Sequence, residues 1–229
     1  MAGMKRWIYL VFFVLLGACA PLAVVQGPAH NASVPADFPE TYYQQAASHG
    51  KKVLRVDSAR SLVVIEVRKG GALARLGHDH VVASHDVSGY VAFDEGRSDL
   101  YVPLENLVVD ESDLRAEAGF DTQPSKEAIE GTRNNMLGKV LETERYPFSL
   151  IHIMRTKAGQ STLNISITLH GKTRTFDIPA TIETLPDGMV ASGRMTFNQT
   201  DFDIVPFSVL GGTMQVQDRL ALRFRIFAN

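Results

Sequence analysis

Cysteine is all but missing from this chain of 229 residues, and Cys19 is its only one. A lone thiol excludes an intramolecular disulfide framework and a cysteine-based zinc site. Charge excess is missing too: 23 Lys and Arg stand against 25 Asp and Glu, a formal net charge of −2. So weak a field gives no footing for nucleic acid. No apolar run reaches the roughly 20 residues that a membrane-spanning helix needs. Catalytic signatures are absent as well. The chain contains no Gly-x-Ser-x-Gly, no His-Glu-x-x-His, no P-loop and no dinucleotide-binding glycine run. The reading is therefore a protein that works without covalent chemistry and with no certain cofactor. The remainder is ordinary globular composition, in which 12 Phe and 6 Tyr against one Trp predict an aromatic core.

The position of the single cysteine is informative. Lys5 and Arg6 precede an apolar run from Trp7 to Leu16, followed by Leu16-Gly17-Ala18-Cys19. A charged start, an apolar middle and small residues at the cut form a secretory signal. Leu, two small residues and Cys resemble the lipobox read by the bacterial lipoprotein signal peptidase. The expectation is a signal peptide over 1–18 and an acylated Cys19 at the mature N-terminus, anchoring the protein to a membrane. Ala20 follows the cysteine where an Asp would resemble the inner-membrane retention signal. The expected location is therefore the cell envelope, on the periplasmic face of the outer membrane. Residues 19–50, with Pro21, Pro28, Pro35 and Pro39, read as a flexible tether with at most one helical turn near Tyr42 to Ala47. A single domain over 51–229 follows, with no internal repeat.

Within that domain apolar and polar residues alternate with period two. Leu163, Ile165, Ile167 and Leu169 alternate with Thr162, Asn164, Ser166 and Thr168. Phe176, Ile178, Ala180 and Ile182 do so next, and Leu220, Leu222, Phe224 and Ile226 alternate with Arg219, Ala221, Arg223 and Arg225. Similar runs lie at 62–68, 87–94, 99–104, 148–155 and 189–198. One wet face and one apolar face per strand is the pattern of antiparallel sheets. Turn residues at Gly171-Lys172, Ala158-Gly159-Gln160 and Pro186-Asp187-Gly188 separate the runs. The fold class is all-β, with about eight strands closing as an up-and-down barrel or packing as a sandwich. Ser125 to Leu141 breaks the pattern with apolar residues at helical spacing behind an N-capping Ser125, predicting one helix at or near a barrel end.

Two features invite chemistry. In Gly77-His78-Asp79-His80, an extended backbone sets His78 and His80 on one side, where they could ligate one metal. A third ligand would come from His85, His152 or His170. The competing reading is a turn in which these side chains bond backbone and seal a barrel mouth. Arg133, on the apolar side of the predicted helix, suits either an ion pair or an anionic headgroup.

Several segments have a familiar order. Leu54-Arg55-Val56-Asp57-Ser58-Ala59-Arg60-Ser61 opens the domain. Thr132-Arg133-Asn134-Asn135-Met136-Leu137 leads to Val140-Leu141 and Tyr146-Pro147-Phe148. Leu163 to Arg174 resembles a Leu-Thr-x-x-Gly-x-Thr/Lys hairpin, and Phe202-Asp203-Ile204, Pro206-Phe207-Ser208, Gly211-Gly212 and Val216-Gln217-Asp218 close the chain. Together they resemble the YceI-like family of exported bacterial lipid-binding proteins. The resemblance implies a lipocalin-like antiparallel barrel whose apolar interior holds a polyisoprenoid or similar long-chain lipid. Register places Leu163, Ile165, Ile167 and Leu169 on the same side as Phe176, Ile178 and Ile182. With Phe224 they are the expected lipid-binding cavity, and Arg133 and His78 the expected headgroup contacts. The partners so implied are a lipid or isoprenoid and the membrane reached through Cys19; a homodimer is also compatible. The alternatives are a metal-binding or redox-related module on His78 and His80, or a purely structural interaction protein.

Overall fold

The computed structural model describes residues 34–155 and 162–229; the signal, the lipobox and Cys19 lie outside these residues. In chain order the elements are α1 (Glu40–Ser48), β1 (Val53–Arg55), β2 (Leu62–Val67), β3 (Lys69–Gly70), β4 (His80–Ser84), β5 (Ser88–Ala92), β6 (Arg97–Pro103) and β7 (Val108–Val109). Next come α2 (Ser112–Glu117), α3 (Lys126–Asn135), β8 (Phe148–Arg155), β9 (Thr162–Leu169), β10 (Lys172–Leu185), β11 (Gly188–Asn198), β12 (Ser208–Val209), β13 (Met214–Val216) and β14 (Arg219–Ala228). Among the described residues no helix is long and apolar enough to cross a membrane.

One antiparallel sheet runs in the order β1-β5-β6-β8-β9-β10-β11-β14-β2-β4-β7, and it closes on itself. β14 pairs with β2 from Arg225–Leu62 to Ala221–Glu66. Its last residues return to β1: Val56 bridges Ala228, and Arg55 and Asn229 exchange backbone hydrogen bonds of 2.8 and 2.9 Å. β1 and β2 are thus two halves of one wall strand, interrupted by the short turn Ser58–Arg60. Ser61 repairs the interruption. Its hydroxyl donates to Asp57 O at 2.7 Å and accepts from Phe227 N at 3.0 Å, replacing ladder bonds that the turn removes. β4 and β5, and β6 and β7, are split in the same way, so the ring has eight wall strands. Antiparallel pairing thus joins the two ends of the sheet, and the expectation of a barrel is met.

The β9–β10 hairpin shows how local chemistry sets the register. Its turn is His170-Gly171, one residue earlier than the sequence suggests, and both residues have positive φ (51° and 72°). That is the twist a two-residue hairpin requires. It aligns Leu163 with Ile178 and Ile165 with Phe176, so both apolar rows share a face. β10 pairs with β9 as far as Pro179 and with β11 only from Ala180 onward. The wall would gape between the first half of β10 and the second half of β11. The turn Gln199–Phe202 and Ile204 fill it, with Phe202 and Ile204 fully buried. Ser125 caps α3 as expected, accepting from Ala128 N at 3.2 Å. The helix then widens into the turn Met136–Val140, which brings Leu141 over one barrel end.

The expected tether ends earlier than residue 50. Residues 38–48 are packed on the outer wall. Phe38, Tyr43 and Ala46 are buried, and Phe38 meets Tyr101 edge-on at 4.8 Å. Proline spacing alone did not reveal this, because the partners of Tyr43 lie more than 45 residues away.

Candidate functional site

On β9 the odd-numbered residues and on β10 the even-numbered Ile178 and Ile182 face the barrel axis, and the opposite rows face solvent or covering segments. Along that axis lies a cavity of about 210 Å³. It runs from Phe93, Ser98, Arg155 and Met189 at one end to Leu107, Leu141, Leu169 and Phe202 at the other. Its wall is almost wholly aliphatic and aromatic. Ile65, Ile151, Ile153, Ile167 and Leu222 are only half-buried although they point inward, because part of each borders open space. A void lined this way stays dry and offers dispersion contacts to an apolar guest. Gly193 helps shape it: a Cβ there would lie 2.7 Å from the Phe224 ring.

Seven of the eight expected cavity residues line this space: Leu163, Ile165, Ile167, Leu169, Ile178, Ile182 and Phe224. Phe176 does not. It lies on the half of β10 beyond the ring closure and packs towards Phe202, with ring centroids 6.3 Å apart.

The two expected headgroup contacts are elsewhere. Arg133 is spent on the backbone: its Nε donates to Leu107 O at 3.2 Å, and its guanidinium also reaches Glu105 O. This ties α3 to the chain between β6 and β7. His78 is exposed on its loop, 6.3 Å between ring centroids from His80. The His80 Nδ1 shares a 2.6 Å hydrogen bond with Asp110. The third ligands considered for a metal are dispersed: His85 bonds Glu111, His152 bonds Asp99, and His170 packs tilted against the Tyr146 ring. Among the described residues no three His, Cys, Asp or Glu converge as a metal site would require.

The ionisable groups instead build two clusters outside the ring. In one, Asp110 accepts from Val81 N at 3.0 Å and from Arg115 at 2.6 Å, while Arg115 also holds the carbonyls of Asp79 and Thr122. Asp110 sits at φ 60°, the left-handed turn that aims its carboxylate back at β4. In the other, Asp99 receives Tyr43 Oη at 2.6 Å, Arg97 Nε at 2.8 Å and His152 Nδ1 at 2.6 Å. Burial opposes ionisation of both carboxyls, but these hydrogen bonds and neighbouring cations outweigh it and hold both below the usual carboxylate range. Burial, and then the bond to Asp99, pushes the Tyr43 phenol up.

Sequence reasoning missed Arg155. It ends β8 on the same face as Ser149, Ile151 and Ile153, all of which line the cavity. That parity was available in the run 148–155.

Fold and site together define a closed antiparallel β-barrel with an apolar central cavity. The model of the YceI-like domain matches residues 54–228, and the chain belongs to that family. Its fold is similar to that of a polyisoprenoid binding domain from Saccharophagus degradans implicated in plant cell wall breakdown, at 12% identity and a TM-score of 0.56, covering 77% of this chain and 97% of that one. It is equally similar to BcnA of Burkholderia cenocepacia, at 17% identity and a TM-score of 0.56, covering 76% and 99%. No curated protein matches the chain. The family match starts beyond α1, which packs on the barrel's outside.

Proposed function

We propose that this protein sequesters or carries a polyisoprenoid or other long-chain amphiphile inside its barrel, by binding alone, while tethered to the periplasmic face of the outer membrane through an acylated Cys19. The observation that carries the reading is the continuous apolar cavity along the barrel axis. Covering a hydrocarbon tail there is favourable by roughly 25 cal/mol per Å² of apolar surface removed from water. The family relationship and the ligand class named for the Saccharophagus degradans domain support the same reading. Support for the anchor is the sequence Leu16-Gly17-Ala18-Cys19 with no Asp after it.

Protein purified from its own host should release a long-chain lipid on organic extraction, identified by mass spectrometry. A barrel that yields no lipid and takes up no amphiphile when offered one defeats the carrier reading. The anchor is tested separately. Cys19→Ser should accumulate as an unprocessed precursor; normal cleavage and normal membrane fractionation of that variant would refute acylation.

A further inference from the structure

We infer that Arg155 marks the mouth of the cavity as a binding site for an anionic headgroup, so that the ligand is a negatively charged amphiphile lying with its tail towards Leu141 and Phe202. This rests on the carrier reading above and narrows it to a chemical class. Among the described residues that line the cavity, Arg155 is the only charged one. It stands at one end of the space, not in the middle of the wall, where a fixed charge beside apolar side chains would cost most. Its backbone is pinned, with the amide donating to Gly96 O at 2.8 Å. Its guanidinium carbon lies 5.6 Å from the centre of the Phe93 ring, which also lines the mouth.

Two neighbours complete the setting. A Cβ at Gly96 would come within 3.2 Å of the Arg155 Cβ, so glycine keeps the flank of the arginine clear. Ser98 lines the same end and is paired with Ile153, two residues before Arg155. It adds a hydroxyl that can donate to the same anion. Among the described residues no carboxylate lies within ion-pair distance of Arg155. Arg97 and Arg115, by contrast, are each closed onto an aspartate. A guanidinium presents a planar fork of donors matched to phosphate or carboxylate oxygens. A neutral quinone or alcohol would leave that fork without its natural partner.

The test compares farnesyl diphosphate, farnesol and inorganic diphosphate on the purified full-length chain by calorimetric titration. The same tail with and without charge isolates the head, and the head alone separates a lipid site from a phosphate site. Wild type should bind farnesyl diphosphate about 10- to 100-fold more tightly than farnesol, the size of a charge-assisted hydrogen-bond contribution. Arg155→Gln should remove that preference and leave farnesol affinity within about twofold, and Arg155→Lys should keep part of it. Thermal melting of Arg155→Gln should match wild type, showing that the fold is intact.

Equal affinity of wild type for the two farnesyl compounds overturns the headgroup assignment and leaves the carrier reading standing. So does a preference that survives Arg155→Gln, or a loss shared equally by both compounds. Inorganic diphosphate bound as tightly as farnesyl diphosphate would make this a free-phosphate site and overturn the amphiphile assignment. Wild type binding neither farnesyl compound removes both readings together.

Discussion

The two sides of one wall are built in opposite ways. Inside the ring, aliphatic side chains such as Ile151, Ile153 and Ile167 remain half-buried because they border open space. Outside it, under α1 and around α2, ionisable side chains are sealed: Arg115 and Tyr43 are each only 1% exposed. This inverts the usual rule of apolar inside and charged outside. Packing that would ordinarily fill the centre is displaced to the periphery, and the centre is left for a guest. Stability should therefore be most sensitive to changes outside the cavity, and binding to changes within it.

The strongest way to break that contrast is to open the outer cluster. Arg115→Ala leaves Asp110 buried with one cation fewer, and removing one partner of a buried ion pair typically costs about 3–5 kcal/mol. Denaturant unfolding should show a loss of that order, and a loss below about 1 kcal/mol would mean that the cluster does not hold the fold. Next in size is the closely packed part of the inner wall. Ile178 is 2% exposed and packs with Leu163, Ile165 and Ala180, so Ile178→Ala should cost about 2–4 kcal/mol.

The cover over Asp99 should give a smaller effect with a pH signature. Tyr43→Phe removes the hydroxyl that bonds Asp99, for about 1 kcal/mol at neutral pH. The folded pKa of Asp99 and Asp110 is lowered, so the unfolded chain binds more protons in acid and stability falls with pH. The contribution is present above the unfolded aspartate value of about 3.9 and is lost as pH falls through the folded values. In Tyr43→Phe the acid unfolding midpoint should move to higher pH; an unchanged midpoint means that Tyr43 does not support the carboxylate. Smallest should be Ile167→Ala. Ile167 borders space, so truncation should cost about 1 kcal/mol or less, below the dry-core range, while changing affinity for a long-chain lipid. A full core-sized loss with unchanged lipid affinity would show this face to be solid.

Much of the architecture was legible because its signal is local. Alternation along 162–169, 172–182 and 219–228 fixed strand faces, and a two-residue turn near Gly171 fixed how two of those faces align. The capping serine before α3 was equally readable. Other features lie beyond local reach. Tyr43 looks like part of a polar tether until Asp99, 56 residues later, is brought to its hydroxyl. Arg133 reads as the cation of an ion pair or of a headgroup contact until the carbonyls of Glu105 and Leu107 meet it. Phe176 shares the parity of its neighbours, and only the divergence of β10 from β9 to β11 removes it from the cavity.

Residue order by itself determined which face of each strand is apolar, since side chains alternate strictly along extended backbone. It also placed the β9–β10 turn to within one residue, since positive φ is cheap at only a few residues. Only the closed ring decided that this apolar face surrounds a space instead of a packed core. That depends on strand count, on the splitting of three wall strands and on what covers the two ends. The role of Arg155 follows the same division. Its parity is written in β8, but its place at the rim of the cavity exists only once the barrel has closed.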